Sequence, residues 1–324
     1  MKKLCLVLYV FGEKYQEFIP LFLLSLFKLY PDYGVRIYLD RELLPVIKEK
    51  LGIFSEYDYK IIENYKSDDG LTKKAESFDQ IQKCRRWYFY DDDFKNYDAI
   101  YIGDVDIFFC PEKNELYEAH IKHCETLQKP FSNIKRIRTY KNLNLKLILR
   151  NIIKFGMFQT IKFHLNSDKI LERLSGLHFI KTEDYINKVL PLKEEFINEL
   201  NLLAEGKSKK YNFCMFNNEG FLYDLMLAAG FGDIPDSSGK DFNISEDCSE
   251  VAYRPHHGMH FGIFRSMNSA ENERKMITSD LYIGYYKYFC DIENTEEYKV
   301  LEKDFSPYLK SIINNMHEFY QKVI

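Results

Sequence analysis

The stretch AIYIGDVDIFF, residues 99–109, decides how the chain is read. Its first half is a short apolar run of the kind that fills the middle of a sheet, and its second half carries Asp104 and Asp106. A buried carboxylate without a partner is costly and two side by side repel, so either a solvated turn or a cation between them must relieve the cost. In an extended stretch, residues two apart point to one side, which would let both carboxylates face a single point. Hard oxygen donors of this kind suit Mn2+ or Mg2+. Two protein carboxylates leave several coordination positions for a substrate diphosphate.

Upstream, strand and helix patterns alternate. LCLVLYVF (4–11) reads as a buried strand and FIPLFLLSLFKLY (18–30) as a helix with Pro near its start. VRIYLD (35–40) is a second strand, LLPVIKEKLGI (43–53) a second helix, and YKIIENY (59–65) a third strand. FDQIQKCRRWYFYDDDF (78–94) reads as helical with a polar face, leading into the Asp104 strand. This alternation predicts an α/β fold with a mainly parallel sheet flanked by helices, whose ligands bind beyond the carboxyl ends of strands. Tyr9 and Phe11 stand at the first such end and can stack on a nucleobase or pack in the core. Asp40, closing the second strand, is a candidate for a ribose hydroxyl.

Segment 129–173 is strongly basic, with Asp168 and Glu172 its only acids, and reads as a helical insertion. Within it, 140–165 mixes cations with apolar residues as a membrane-surface helix does, so peripheral contact with an anionic membrane is expected. Residues 266–324 read as a helical C-terminal appendage to a catalytic domain spanning 1–265.

The totals narrow the class. A net charge of −4 argues against nucleic-acid binding by the chain as a whole. Seven scattered cysteines without a C-x-x-C pair fit a reducing cytoplasm better than a disulfide scaffold. The opening MKKLCLVLYVFGEKYQEF reads as a strand rather than a leader, because charge returns at Glu13 and no small-residue cleavage site follows. No apolar run reaches the ~20 residues that span a bilayer. The expected location is cytoplasmic, with attachment at the inner face of the membrane.

Two further clusters carry chemistry. RPHHGMHFGIFR (254–265) offers His256, His257 and His260 as metal ligands. Gly258 and Gly262 allow close backbone approach to phosphate oxygens, and Arg265 can fork onto a phosphate. FNNEGFLYD (216–224) places Asn218 and Glu219 at a polar turn opening a helix. There a carboxylate can act as a nucleophile or stabilise developing positive charge, or merely complement the helix dipole.

Asp-Val-Asp after a buried strand resembles the DxD motif of GT-A fold glycosyltransferases, and the wider pattern resembles glycosyltransferase family 8, the retaining galactosyl- and glucosyltransferases. LCLVLYVF is similar to the family's opening nucleotide-binding strand, and CRRWYFY (84–90) to its Tyr/Arg-rich lead into the metal strand. SGLHFIKTEDYI (175–186) resembles its Asn-Ala-Gly stretch, with Ser175-Gly176 in place of that tripeptide. HFGIFR (260–265) resembles its late His-Phe-x-Gly-x-x-Lys motif, with Arg265 for the Lys and one residue fewer. NNEG (217–220) also resembles the His-Asp-Glu-Ser stretch of the blood-group-related α-galactosyltransferases. The likeness covers residues 1 to about 265.

The resemblance implies a GT-A type nucleotide-binding fold and a metal-dependent, retaining hexosyl transfer from a nucleotide sugar, UDP-linked, to a glycan or lipid-linked glycan in surface polysaccharide synthesis. It implies Asp104, Asp106 and His260 (His257 as second choice) as ligands of Mn2+ or Mg2+. Lys83 and Arg86 would meet the donor phosphate or sugar, and Ser175, Gly176 and His178 the sugars. Glu219, or Asn218 as a neutral alternative, would act at the reacting centre.

Other readings fit less well. Haloacid-dehalogenase-type phosphatases need Thr or Val where Phe108 stands, sugar-nucleotide pyrophosphorylases need a Gly-rich basic loop where FGEKYQE stands, and DDDFKNYD (91–98) lacks the Gly and Glu of an EF-hand loop. A carbohydrate-binding protein without catalysis stays open, since fold alone never proves activity.

Overall fold

The computed structural model describes residues 2–65, 70–139, 170–213, 215–235, 258–265 and 276–324, together with positions 149, 152, 153, 156, 157, 160 and 161. Its centre is a six-stranded sheet in the order β3-β2-β1-β4-β9-β6. These are β1 (Lys2–Val10), β2 (Gly34–Leu39), β3 (Tyr59–Ile62), β4 (Tyr97–Gly103), β6 (Phe131–Ser132) and β9 (His178–Lys181). β3, β2, β1 and β4 run parallel, and β9 is antiparallel to both β4 and β6. The expected α/β class with a mainly parallel sheet is what the chain forms.

Period-two alternation along β1 divides the core. Leu4, Leu6, Leu8 and Val10 pack on one face with the Ile19–Leu29 helix and the C-terminal helices Asp280–Glu293, Glu296–Glu302 and Pro307–Val323. Cys5, Val7 and Tyr9 turn to the other face, covered by Trp87, Phe89 and the Lys193–Ala204 and Asn218–Ala228 helices. Fully burying each Leu or Phe contributes about 1.5–3 kcal/mol. The C-terminal helices therefore form a full layer of the core: Phe289, Leu309, Met316 and Tyr320 are completely enclosed.

Two local expectations are corrected. The 78–94 stretch is not one helix: a short helix Asp79–Lys83 tightens into the 3-10 turn Cys84–Trp87, and a second 3-10 turn spans Asp92–Asn96. Burial of consecutive bulky side chains (Trp87, Tyr88, Phe89) on the sheet overrides helical periodicity. The basic segment also enters and leaves as strands, because β7 (Lys135–Thr139) pairs antiparallel with β8 (Ile170–Leu174). Most of 140–165 lies outside the described residues.

Gly34 opens β2 where no side chain fits, since a Cβ there would lie 2.1 Å from the Tyr97 hydroxyl. That hydroxyl donates to Asp58 at 2.6 Å and is held by Arg36 at 3.2 Å, so it cannot yield. Gly34→Ala should lower stability by about 1–3 kcal/mol, measured as a shift of the urea midpoint at unchanged m-value.

Candidate functional site

Strand order reverses direction at β1, with β2 on one side and β4 on the other, and the crevice at such a switch point is the natural ligand site of an open α/β sheet. The carboxyl end of β1 delivers Tyr9 and Phe11 to it, and the turn after β4 delivers Asp104, Val105 and Asp106. A cavity of about 740 Å³ opens there, walled also by Lys83, Arg86, Gly176, Asn218, Glu219, His260 and Arg265.

The Asp104–Asp106 turn is shaped by its exit. Asp106 is followed by β5 (Ile107–Phe108), which pairs with β10 (Met259–His260), and the Phe261 N–H donates to the Asp106 carbonyl at 2.9 Å. The two aspartates thus occupy a turn rather than an extended run, and they do not share one point. Asp104 accepts from Arg86 Nη1 at 2.8 Å. Asp106, only 5% exposed, has Oδ1 3.1 Å from His260 Nε2 and Oδ2 in contact with Arg265 Nη2. Asp104, Asp106 and His260 do not bring a ligand atom each within 4.8 Å of one another. With arginines at hand, each carboxylate takes its own cationic partner, Arg86 for Asp104 and Arg265 for Asp106.

Burial alone would raise the Asp106 carboxyl, but His260 and Arg265 outweigh it and hold its pKa at about 2. Burial lowers and Asp106 raises His260, with the carboxylate prevailing, so the imidazole sits above its ordinary value. Arg265 is oriented by a second bond, Nη1 to the Tyr15 hydroxyl at 2.9 Å. Gly262 is what admits this packing, since a Cβ there would lie 3.0 Å from Asp106 Oδ2.

Arg86 stacks 4.3 Å from the Trp87 ring, and its Nε and Nη2 are buried without a hydrogen-bond partner among the described residues. Consecutive arginines diverge here: Arg85, fully buried, pairs with Glu76 at 2.6 Å, while Arg86 faces the cavity. Gly176 marks the convergence point opposite. A Cβ on it would lie 3.4 Å from Arg86 Nη2, 3.4 Å from Glu219 Oε1 and 3.8 Å from Asp104 Oδ2.

Glu219 stands in the first turn of the Asn218–Ala228 helix, capped by Asn217, whose side chain accepts from the Gly220 N–H. Its carboxylate contacts Arg173 Nη1, and Arg136 is close enough for its charge to act on the same group. Asn218 lines the cavity, but its amide donates to Gln80 at 3.2 Å and its carbonyl accepts from the Trp87 indole at 2.9 Å.

Several expected residues are elsewhere. His178 is 1% exposed in β9, with Nδ1 3.0 Å from Asn133 Nδ2, and Ser175 is buried with its N–H donating to Asn133 at 2.8 Å. His178 serves the sheet and Ser175 ties the β8–β9 connection to Asn133, and neither lines the cavity. Gly258 adopts φ +64° and packs on β5, where a Cβ would meet the Phe108 carbonyl at 2.6 Å; it shapes the β10 entry and does not line the cavity. Asp40 is buried and accepts from the Gly12 N–H at 3.0 Å, fixing the loop after β1. His256 and His257 lie outside the described residues. Tyr15 and Arg173 were not legible in advance. Arg173 counts in the sequence as one cation of a basic run, and only the β7–β8 pairing carries it to Glu219.

No protein-family model and no curated protein matches the sequence. Solved structures similar to this one include core-mannan synthase A (CmsA/Ktr4) from Aspergillus fumigatus in its Mn/GDP form, at 9% identity and TM-score 0.40, covering 70% of each chain. The galactosyltransferase LgtC in complex with donor and acceptor sugar analogs is similar at 9% identity and TM-score 0.36, over 68% of this chain and 70% of that one. The glycosyltransferase GlyE of Streptococcus pneumoniae TIGR4 is similar at 11% identity and TM-score 0.43, over 95% of this chain and 64% of that one. All are low-identity likenesses of backbone course.

The Asp106 cluster contributes to the pH response of stability. A depressed carboxyl pKa stabilises the fold above its ordinary value of 3.8, and that contribution is lost as pH falls toward about 2. A raised imidazole pKa stabilises below 6.5, and its share is lost as pH climbs through the higher folded value. Asp106→Asn should therefore flatten both slopes of Tm against pH, whereas unchanged slopes would mean the cluster does not titrate with folding.

Proposed function

We propose that the protein is a metal-dependent GT-A type glycosyltransferase that moves a hexose from a nucleotide sugar, UDP-linked, to a glycan hydroxyl with retention. The observation that carries this reading is the buried Asp106, bound to His260 and Arg265, on a cavity that Asp104, Arg86 and Glu219 also reach. Such a site concentrates oxygen and nitrogen donors for a cation beside guanidinium donors for an anion.

The donor chemistry fits a hard divalent ion. Asp106 Oδ1 and His260 Nε2, 3.1 Å apart, span about one edge of a coordination shell, and Asp104 lines the same cavity. When bound, Mn2+ or Mg2+ supplies positive charge against a departing diphosphate. The residues supply the rest. Arg86 offers Nε and Nη2, which find no hydrogen-bond partner among the described residues, to phosphoryl oxygens. Arg265, aimed by Tyr15, opposes charge developing on the leaving group. Tyr9 and Phe11 present rings at the end of β1 for a nucleobase. Arg173 fixes the direction of the Glu219 carboxylate, and a carboxylate paired with a guanidinium suits electrostatic stabilisation of a cationic sugar carbon better than covalent attack.

The reading includes a lipid-linked acceptor and peripheral attachment to an anionic membrane. Leu149, Ile153, Met157 and Ile161 recur every four residues with their side chains in water, and Ile153 is 85% exposed. Lys146, Arg150, Lys154 and Lys162 alternate with them in sequence. An anionic bilayer satisfies apolar and cationic groups together. No helix among the described residues is long and apolar enough to cross a membrane.

Hydrolysis of UDP-sugars with Mn2+ tests the reaction. UDP release supports the transferase, release of inorganic phosphate a phosphatase, and neither a binding protein. Asp106→Ala and His260→Ala should each abolish metal-dependent UDP release. Glu219→Gln should lower kcat by roughly a hundredfold with donor Kd unchanged, and unaltered turnover would remove Glu219 from the mechanism. Ile153→Asp should weaken binding to phosphatidylglycerol vesicles by about tenfold or more, and equal sedimentation of both proteins would refute the membrane contact.

A further inference from the structure

A second cluster lies among the C-terminal helices, on residues the proposed transfer does not use. Cys290 and Glu293 stand three residues apart on the Asp280–Glu293 helix, and His317 faces them from the Pro307–Val323 helix. One ligand atom from each side chain lies within 4.8 Å of the other two. His317 Nε2 is 3.1 Å from Glu293 Oε1, and its Nδ1 is 3.0 Å from the hydroxyl of Tyr286, one turn before Cys290. The Tyr298 hydroxyl donates to the same Glu293 oxygen at 3.1 Å. All three candidate ligands are half-buried.

We infer that Cys290, Glu293 and His317 form a zinc site with thiolate, carboxylate and imidazole donors and one position open to water. Bond lengths of about 2.0–2.3 Å in a tetrahedron put neighbouring donors roughly 3.3–3.7 Å apart. His317 Nε2 and Glu293 Oε1, 3.1 Å apart, need to part by only about 0.2 Å, and the 4.8 Å bound leaves the thiol about an ångström to close, both within reach of side-chain torsions. The soft sulfur selects zinc over the harder ions that suit Asp104 and Asp106. Tyr286 supplies the outer contact typical of a ligating histidine: by accepting from Nδ1–H it fixes the tautomer that turns Nε2 toward the metal.

Charge balances on loading. Without metal, the Glu293 hydrogen bond raises the His317 imidazole, while burial pushes up the Cys290 thiol. Zn2+ replaces the thiol proton and the Nε2 proton, both of which go to solvent, and one thiolate plus one carboxylate then neutralise its two charges. The metal would tie together two helices of the layer that backs the candidate cavity. On the second of them, Asn315 donates to the Phe264 carbonyl at 3.0 Å, next to Arg265.

Titration of the full chain with Co2+, which takes zinc sites and absorbs visibly, tests the assignment. A thiolate-to-cobalt charge-transfer band should saturate at one ion per chain, bleach on adding Zn2+, survive in Asp106→Ala and vanish in Cys290→Ser. His317→Gln, which spares the thiol, should lose the band too, and Tyr286→Phe should weaken binding about tenfold. Zn2+ should raise the Tm of the wild type and leave that of Cys290→Ser unmoved. No thiolate band in the wild type, a band persisting in Cys290→Ser, or one lost in Asp106→Ala would overturn the proposal. Mn2+-dependent UDP release by Cys290→Ser reads the other site separately.

Discussion

A single buried carboxylate organises one end of this molecule. Asp106 is almost wholly removed from water, and the low-dielectric surroundings that make its charge costly also strengthen its attraction to His260 and Arg265. Removing a partner would leave an uncompensated charge inside the fold, so the turn after β4, the short β5–β10 pair and the Phe261–Arg265 turn are bound into one unit. The glycines follow from that closeness. Gly262 yields room for the carboxylate, and Gly258 turns the chain at positive φ against the Phe108 carbonyl.

The same economy of charge runs around the cavity. Arg86 satisfies Asp104 with one nitrogen and keeps two donors unpartnered among the described residues, while Arg173 holds Glu219. Carboxylates and guanidinium groups alternate on its wall, so a ligand carrying both a cation and a diphosphate could exchange partners with the protein at little net electrostatic cost. The layers beneath supply rigidity: β1 and β4 are packed on both faces, and the helices of residues 280–323 brace the Arg265 side through Phe264, Phe319 and Tyr320.

Residue pattern carried much of this. LCLVLYVF and VRIYLD became parallel strands because contiguous β-branched and aliphatic residues bury on two faces at once, YKIIENY pairs as the half-buried edge strand, and Asp104 stood at a strand end as the alternation required. Helical periodicity failed over 78–94, where bulky aromatics and Arg85 are pulled into the core whatever the local spacing prefers. It failed again at 135–139 and 170–174, strands hidden inside a basic run, because pairing between segments thirty residues apart leaves no local trace.

From the sequence alone came the sheet class, the place of the acidic pair after its central strand, and the chemical types gathered late in the chain at His260, Gly262 and Arg265. These depend on local burial pattern and residue chemistry, both written along the chain. Only the tertiary structure decided which aspartate is buried, that each has its own arginine, that His178 and Ser175 are buried away from the cavity, and that Arg173 meets Glu219. It also brought Cys290, Glu293 and His317 together. Each of those outcomes depends on distance between residues far apart in sequence, and a one-dimensional pattern holds no measure of it.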